Sequence, residues 1–213
     1  MTTHEGRSVP HVDFIYGLGS RYSYLAATQI ERIARQSGAV FRWRAIQSAM
    51  LFERRHRNPF GEVSEGQYDW DCRRRDAESW ARYYGVPFRD PVGRLDYPPR
   101  LTALAARAAE RQGALVAMSM ALFGLIFVDD RKAFGREEVV GLARELGLDP
   151  RQFRADLDDP GLEDEHDREI DRLIGQGIFG VPTFVLEDGR RFWGNDRLLL
   201  LEAAHQGRIR SGA

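Results

Sequence analysis

From Val12 to Tyr16 every position except Asp13 is β-branched or aromatic, a strand composition, and the run is cut by the turn Gly17-Leu18-Gly19-Ser20. Ser20 is a good N-cap. Beyond it, Leu25, Ala26, Ile30 and Ile33 recur at helical spacing, which predicts a helix from Tyr22 that stops near Ser37-Gly38. Val40 to Ile46 then alternates apolar and charged positions and reads as a second strand. A β-α-β opening of this kind predicts parallel pairing of its two strands.

Glu53 to Gly61 is a charged loop containing Pro and Gly, and Asp69 to Tyr84 predicts a helix whose Trp70, Trp80 and Tyr83 are expected in the core. Val86-Pro87-Phe88-Arg89-Asp90-Pro91 breaks that helix, and Asp96-Tyr97-Pro98-Pro99 holds the next segment extended. Further helices are predicted from Thr102 to Gln112, from Leu115 to Phe127, from Arg136 to Leu146, in a short segment opening at Pro150, and from Asp164 to Gly175. Met120, Phe123 and Phe127 fit a buried helix face, and the apolar stretch Leu115 to Phe127 reads as core or interface.

Gly177 to Val185 is the most informative run. Phe179, Val181, Phe184 and Val185 favour a strand, but Pro182 cannot donate a ladder hydrogen bond and must start or edge one. Val181-Pro182 is also a candidate cis bond. A cis bond there leaves the Val181 N–H and C=O facing outward, open to a short extended peptide such as a thiol-containing tripeptide; the alternative is an edge-strand proline with no ligand. Glu187 to Arg190 is a hairpin turn, Arg191-Phe192-Trp193 a returning strand, and Asn195-Asp196 are expected to cap a last helix from Arg197 to His205. Without its middle block of helices this order is that of a thioredoxin fold. The expected class is α/β, with residues 10–50 and 176–213 forming a thioredoxin-like domain and 51–175 an inserted all-helical domain.

Composition narrows the function. The 213 residues carry 31 basic and 32 acidic side chains and 43% hydrophobics, which indicates neither disorder nor a nucleic-acid-binding field. The first residues lack the apolar core of a signal peptide, and no apolar run approaches the ~20 residues that span a bilayer, so a cytoplasmic protein is expected. Cys72 is the only cysteine, which excludes a C-x-x-C redox pair and an internal disulfide. His56, His166 and His205 lack metal-ligand spacing and are expected at the surface, and Glu163 to Asp167 reads as a solvated helix start.

If the thioredoxin order holds, Ser20 and Val181-Pro182 meet at one edge of the sheet. A helix N-terminus favours an anion such as a thiolate, and a serine hydroxyl there can donate to the sulfur without forming a disulfide. Taken alone, Ser20 reads as an ordinary cap.

Ser20-Arg21-Tyr22-Ser23-Tyr24-Leu25-Ala26, Gly177 to Phe184 and Phe192-Trp193-Gly194-Asn195-Asp196-Arg197-Leu198 together resemble 2-hydroxychromene-2-carboxylate isomerases and kappa-class glutathione transferases, non-redox relatives of the DsbA-like proteins. The resemblance spans nearly the whole chain. It implies a cytoplasmic homodimer using glutathione, or another low-molecular-weight thiol, on a small aromatic carboxylate. It further implies that Ser20 holds the sulfur, that Val181 and Pro182 meet the cysteinyl backbone, that Asn195 and Asp196 bind the γ-glutamyl end, and that Asn58 belongs to the cofactor loop. The sequence departs from the family at Arg21, where Pro is usual, at Arg54-Arg55-His56-Arg57, where a lysine and glycines are usual, and at Arg100, where Asn is usual. These departures suggest an arginine-lined mouth suited to an anionic substrate.

Overall fold

Four strands form one sheet in the order β2-β1-β3-β4. A computed structural model describes residues 10–55, 70–91, 95–129 and 131–209. Strand β1 (His11–Gly17), helix α1 (Arg21–Ser37) and β2 (Val40–Ile46) make the expected β-α-β unit, with β1 and β2 parallel. After α2 (Ala49–Glu53) come α3 (Trp70–Tyr84), α4 (Pro99–Glu110), α5 (Leu115–Phe127), α6 (Arg136–Glu145), α7 (Pro150–Leu157) and α8 (Pro160–Gly175). Strands β3 (Thr183–Leu186) and β4 (Arg191–Trp193) then close the sheet antiparallel, followed by a 3-10 turn, Asn195–Arg197, and helix α9 (Leu198–His205).

The pleat of β1 distributes the core between the two faces of the sheet. Val12, Phe14 and Tyr16 point to one face, where they join Leu25 and Ile33 of α1, Leu122, Phe123 and Phe127 of α5, and Leu201 of α9. Ile15 points to the other face and packs with Met50 and Leu51 of α2 and Ile170 and Leu173 of α8. On the first face, Phe14 is fully buried; it stacks on Tyr16 and on Phe184 of β3, and meets Trp43 of β2 edge-on at 4.9 Å. The Tyr16 hydroxyl shares a hydrogen bond with a buried partner on α5, Ser119 Oγ, at 2.5 Å. The helices between β2 and β3 therefore share a continuous core with the sheet. Phe123 and Phe127 are buried as expected, Met120 is half-buried, and Val116 at the start of α5 is exposed.

Three local expectations are corrected. Tyr83 is 70% exposed rather than in the core, and Trp80 is half-buried. Helix α3 contributes Ala77 and Ala81 to the core instead, and the bulky aromatics lie beside that small-residue stripe. Helix α8 begins four residues earlier than its acidic run suggests, with Pro160 in its first turn and the Asp159 carboxylate accepting from the Gly161 N–H at 2.9 Å. His166 consequently falls on the inner face of α8 and is fully buried, not superficial.

His166 has a structural task there. Its Nε2 accepts the Gln47 N–H at 3.0 Å, just after β2, so the ring proton sits on Nδ1, facing Asp167 Oδ1 at 3.2 Å. Burial depresses its pKa below the usual imidazole value; Arg107 and Arg100 push the same way, and Asp167 opposes them. The unfolded chain therefore takes up the proton first as pH falls. The stabilising contribution is complete above about pH 6.5 and is lost on descending through the folded-state value, at about 1.4 kcal/mol per unit of depression. His205, depressed by burial as well, adds a change of the same sign. Thermal melts are expected to shift down as pH drops below neutrality, and His166→Gln, which retains an acceptor but does not titrate, should flatten much of that limb. Equal slopes for the two proteins would remove His166 from the account.

Candidate functional site

The turn after β1 is a closed network. The Gly17 N–H donates to Ser23 Oγ at 3.3 Å, the Ser20 N–H donates to the Gly17 C=O at 3.0 Å, and Ser20 Oγ accepts the Ser23 N–H at 3.2 Å. Ser20 is thus the N-cap of α1. A serine hydroxyl has one proton and two lone pairs, so accepting from Ser23 leaves its O–H available to donate to a group beyond the helix start. Near it, the N–H groups of the first helical turn lack intrahelical acceptors and carry the positive end of the helix dipole.

A tight approach brings the second element in. A Cβ on Gly17 would lie 2.7 Å from Ser48 Oγ and 3.4 Å from Val181 Cγ2, so only glycine lets the β1 turn sit between these two side chains. Val181 therefore packs beside the start of the turn that leads to Ser20, 161 residues away in sequence. The Val181-Pro182 bond is cis. Strand β3 starts at Thr183, and among the described residues neither the Val181 N–H nor its C=O takes a hydrogen bond.

The C-terminal motif is fastened to the same place. The Gly194 N–H donates to the Pro182 C=O at 2.9 Å, which sets Asn195 and Asp196 beside the proline. Asn195 is buried and its C=O accepts the Tyr84 hydroxyl at 3.3 Å, while its Nδ2 has no partner among the described residues. Asp196 is half-exposed and pairs with the adjacent Arg197 at 3.2 Å. The expectation that these two residues cap the last helix is corrected: they form the 3-10 turn itself, and neither side chain caps α9. Phe179 and Trp193 pack edge-to-face at 4.8 Å, both about half exposed, next to this turn.

The arginine-lined mouth is largely neutralised. The largely buried Arg21 guanidinium pairs with the buried Asp90 carboxylate at 2.7 Å. Arg54 pairs with Asp167 and Asp171, and Arg100 with Glu163 and Asp167, so Asp167 is shared between two arginines. Burial opposes ionisation of Asp167, but the hydrogen bond from His166 and the guanidiniums of Arg100 and Arg54 together hold its carboxyl below the usual range. Arg55 differs: it donates to the Ile178 C=O at 3.0 Å, on the segment leading to Val181, and has no carboxylate partner among the described residues. Asn58, with His56 and Arg57, lies outside the described residues. Cys72 is exposed on α3. Among the described residues no group of three or more His, Cys, Asp or Glu is placed to hold a metal ion, and no helix is long and apolar enough to cross a membrane.

The sequence pattern pointed to Ser20, Val181, Pro182, Asn195 and Asp196, and the fold brings all five to one end of the sheet. It placed Arg55 at the mouth but did not reveal its bond to the Ile178 C=O, nor Ser48 or Tyr84 as neighbours. Their signal lies only in long-range packing, apart from the two glycines of the β1 turn, whose lack of a side chain marks a close approach.

Known proteins resemble this chain to different depths. A 2-hydroxychromene-2-carboxylate isomerase of Sphingobium xenophagum is 28% identical over 201 residues, covering 90% of this chain and 96% of the relative. A solved 2-hydroxychromene-2-carboxylate isomerase superposes with a TM-score of 0.75 at 27% identity, over 93% of this chain and 95% of the other. The cytosolic disulfide reductase DsbM from Pseudomonas aeruginosa, solved with GSH, shares the fold at a TM-score of 0.61 and 19% identity, over 93% of this chain and 100% of the other. The DSBA-like thioredoxin domain model matches residues 11–206, the whole span from β1 through α9, and the chain belongs to that family.

Proposed function

We propose that this protein is a thiol-dependent isomerase of the 2-hydroxychromene-2-carboxylate type, with glutathione or another low-molecular-weight thiol held across Ser20, Val181, Pro182, Asn195, Asp196 and Asn58. One observation carries the reading: a serine, not a cysteine, caps α1 beside a cis Val181-Pro182 bond, and the Val181 N–H and C=O are unpaired among the described residues. The residues fit the ligand. The Val181 N–H and C=O can pair antiparallel with the cysteinyl unit, and the buried, unpartnered Nδ2 of Asn195 is a donor for the γ-glutamyl end. The Asp196 carboxylate suits an α-ammonium group.

When bound, the thiolate supplies a nucleophile that can add to and leave a conjugated carbon of the substrate, permitting rotation about the former double bond with no net redox change. The protein's part is electrostatic. The Ser20 O–H and the first turn of α1 favour the anionic sulfur and lower its pKa, so more nucleophile is present near neutral pH. With no second cysteine in the chain, the sulfur cannot be carried into a protein dithiol cycle. Arg55 is the cation we assign to the substrate's carboxylate, because Arg54 and Arg100 already have carboxylate partners. The names of the relatives support a small aromatic carboxylate as substrate; action in the cytoplasm as a homodimer rests on the family resemblance.

Incubation with 2-hydroxychromene-2-carboxylate, with and without reduced glutathione, tests the reading. Thiol-dependent conversion to a product of unchanged mass is expected. A product heavier by the mass of the thiol would favour a kappa-like transferase at the same site. If no turnover occurs, and a glutathione analogue with serine in place of cysteine binds as well as glutathione, the protein is a peptide-binding module and the isomerase reading fails.

A further inference from the structure

Tyr97 lies at the same helix start and has no part in the reading above. It belongs to the extended segment before α4, and its hydroxyl oxygen lies 2.6 Å from the position a Cβ on Gly19 would occupy, with ring carbon Cζ at 3.8 Å. The phenol therefore approaches oxygen-first over the residue immediately before Ser20, and the absence of a side chain at Gly19 is what makes room for it.

Its hydroxyl differs from those of the other buried or half-buried tyrosines. Tyr16 is bonded to Ser119, Tyr22 to Asp76, Tyr24 to the Pro87 C=O and Tyr84 to the Asn195 C=O. Tyr97 is half-buried, and its hydroxyl has no hydrogen-bond partner among the described residues, so its O–H is available to a ligand. The side chain is nonetheless held firmly. Its ring stacks on Phe134 at 5.4 Å and 9°. The backbone beside it is pinned by the Asp96 N–H to the Lys132 C=O at 2.8 Å and by the Phe134 N–H to the Asp96 C=O at 3.1 Å. Pro98 and Pro99 follow directly. A donor fixed in place before the ligand arrives need not reorganise when charge is presented to it.

We propose that the Tyr97 hydroxyl is a second hydrogen-bond donor to the thiol sulfur, acting from the side of Gly19 while Ser20 acts from the helix cap. This rests on the thiol-site reading above. Burial raises the Tyr97 pKa, so the phenol keeps its proton and stays a donor at neutral pH. Two donors on one sulfur stabilise the thiolate relative to the thiol more than Ser20 alone can, and the gain is confined to the charged form. Tyr97 is then a binding and catalytic residue specific to the sulfur, with little effect on how the rest of the peptide is held.

The test follows the sulfur directly. The pKa of bound glutathione is read from its ultraviolet thiolate absorbance in wild type and Tyr97→Phe, and calorimetry compares glutathione with S-methylglutathione, which cannot ionise at sulfur. Tyr97→Phe keeps the ring on Phe134, so its melting temperature should match wild type. The expected result is a bound-thiol pKa raised by about one unit and roughly tenfold weaker glutathione binding at neutral pH, with S-methylglutathione affinity unchanged. Wild-type binding with an unaltered thiol pKa in Tyr97→Phe would overturn the role of Tyr97 and leave the thiol site standing. Equal losses for both ligands would also overturn it, since Tyr97 would then shape the pocket without acting on sulfur. If wild type gave no thiolate signal and bound neither ligand, the thiol site itself would fall, and Tyr97 with it.

Discussion

Replacing Ser20 by alanine is expected to lower thiol-dependent kcat/KM by about ten- to a hundredfold, with only a small change in fold stability. A hydrogen bond to a charged group contributes about 1.5–3 kcal/mol, and its loss should raise the bound thiol's pKa by one to two units. The cap bond to the Ser23 N–H disappears as well, which costs about 1 kcal/mol of helix stability. These two effects can be separated. Aspartate caps a helix as well as serine, so Ser20→Asp should melt close to wild type; yet its carboxylate would repel a thiolate and should abolish glutathione binding altogether. Ser20→Thr keeps a hydroxyl and should retain most of the activity. Measured kcat/KM for Ser20→Ala within twofold of wild type would reduce Ser20 to a cap and nothing else.

The features legible in the sequence are those written locally. Turn residues and a cap precede α1, the alternation of Val40 to Ile46 marks β2, and a proline among β-formers marks the start of β3. Each is set by the backbone needs of a few adjacent residues, so neighbours in sequence suffice to read it. Helix α2 was not legible: Ala49–Glu53 is a single short turn-and-a-half whose preceding Ser48 makes no cap bond. The start of α8 was obscured because the acidic run drew attention away from Asp159-Pro160, the pair that in fact opens the helix. Charge was least legible of all. Arg54 meets Asp167 across 113 residues of sequence, and Arg21 meets Asp90 across α3, so whether an arginine is open to a ligand or already neutralised is decided by packing. The departures from the family at Arg21, Arg54-Arg55-His56-Arg57 and Arg100 made the mouth look cationic. The fold leaves Arg55 as its arginine without a carboxylate partner among the described residues.

Packing under the site leads to the second large effect: Phe14→Ala is expected to destabilise the protein by about 3–5 kcal/mol. Phe14 is fully buried at the middle of β1, opposite Trp43 of β2 and Phe184 of β3 in register, and its ring contacts both of them and Tyr16. Truncation leaves a cavity that three large rings can fill only by leaving their own places. For a chain of this length the loss corresponds to a fall in Tm of roughly 10 °C. Phe14→Leu, which retains much of the volume, should lose considerably less. The consequence for chemistry follows from where the strands lead. Strand β1 runs into the turn that carries Ser20, and β3 emerges from Val181-Pro182, so the Phe14–Phe184 stack helps fix the spacing of the two halves of the thiol site. Phe14→Ala should therefore weaken glutathione binding even well below its own Tm, where the protein remains folded, while Phe14→Leu binds nearly as wild type. A melting temperature unchanged within about 2 °C would show that the aromatic stack contributes little. A lowered Tm with undiminished binding would mean instead that the glycine turn and the Gly194–Pro182 hydrogen bond hold the site geometry without help from the sheet beneath.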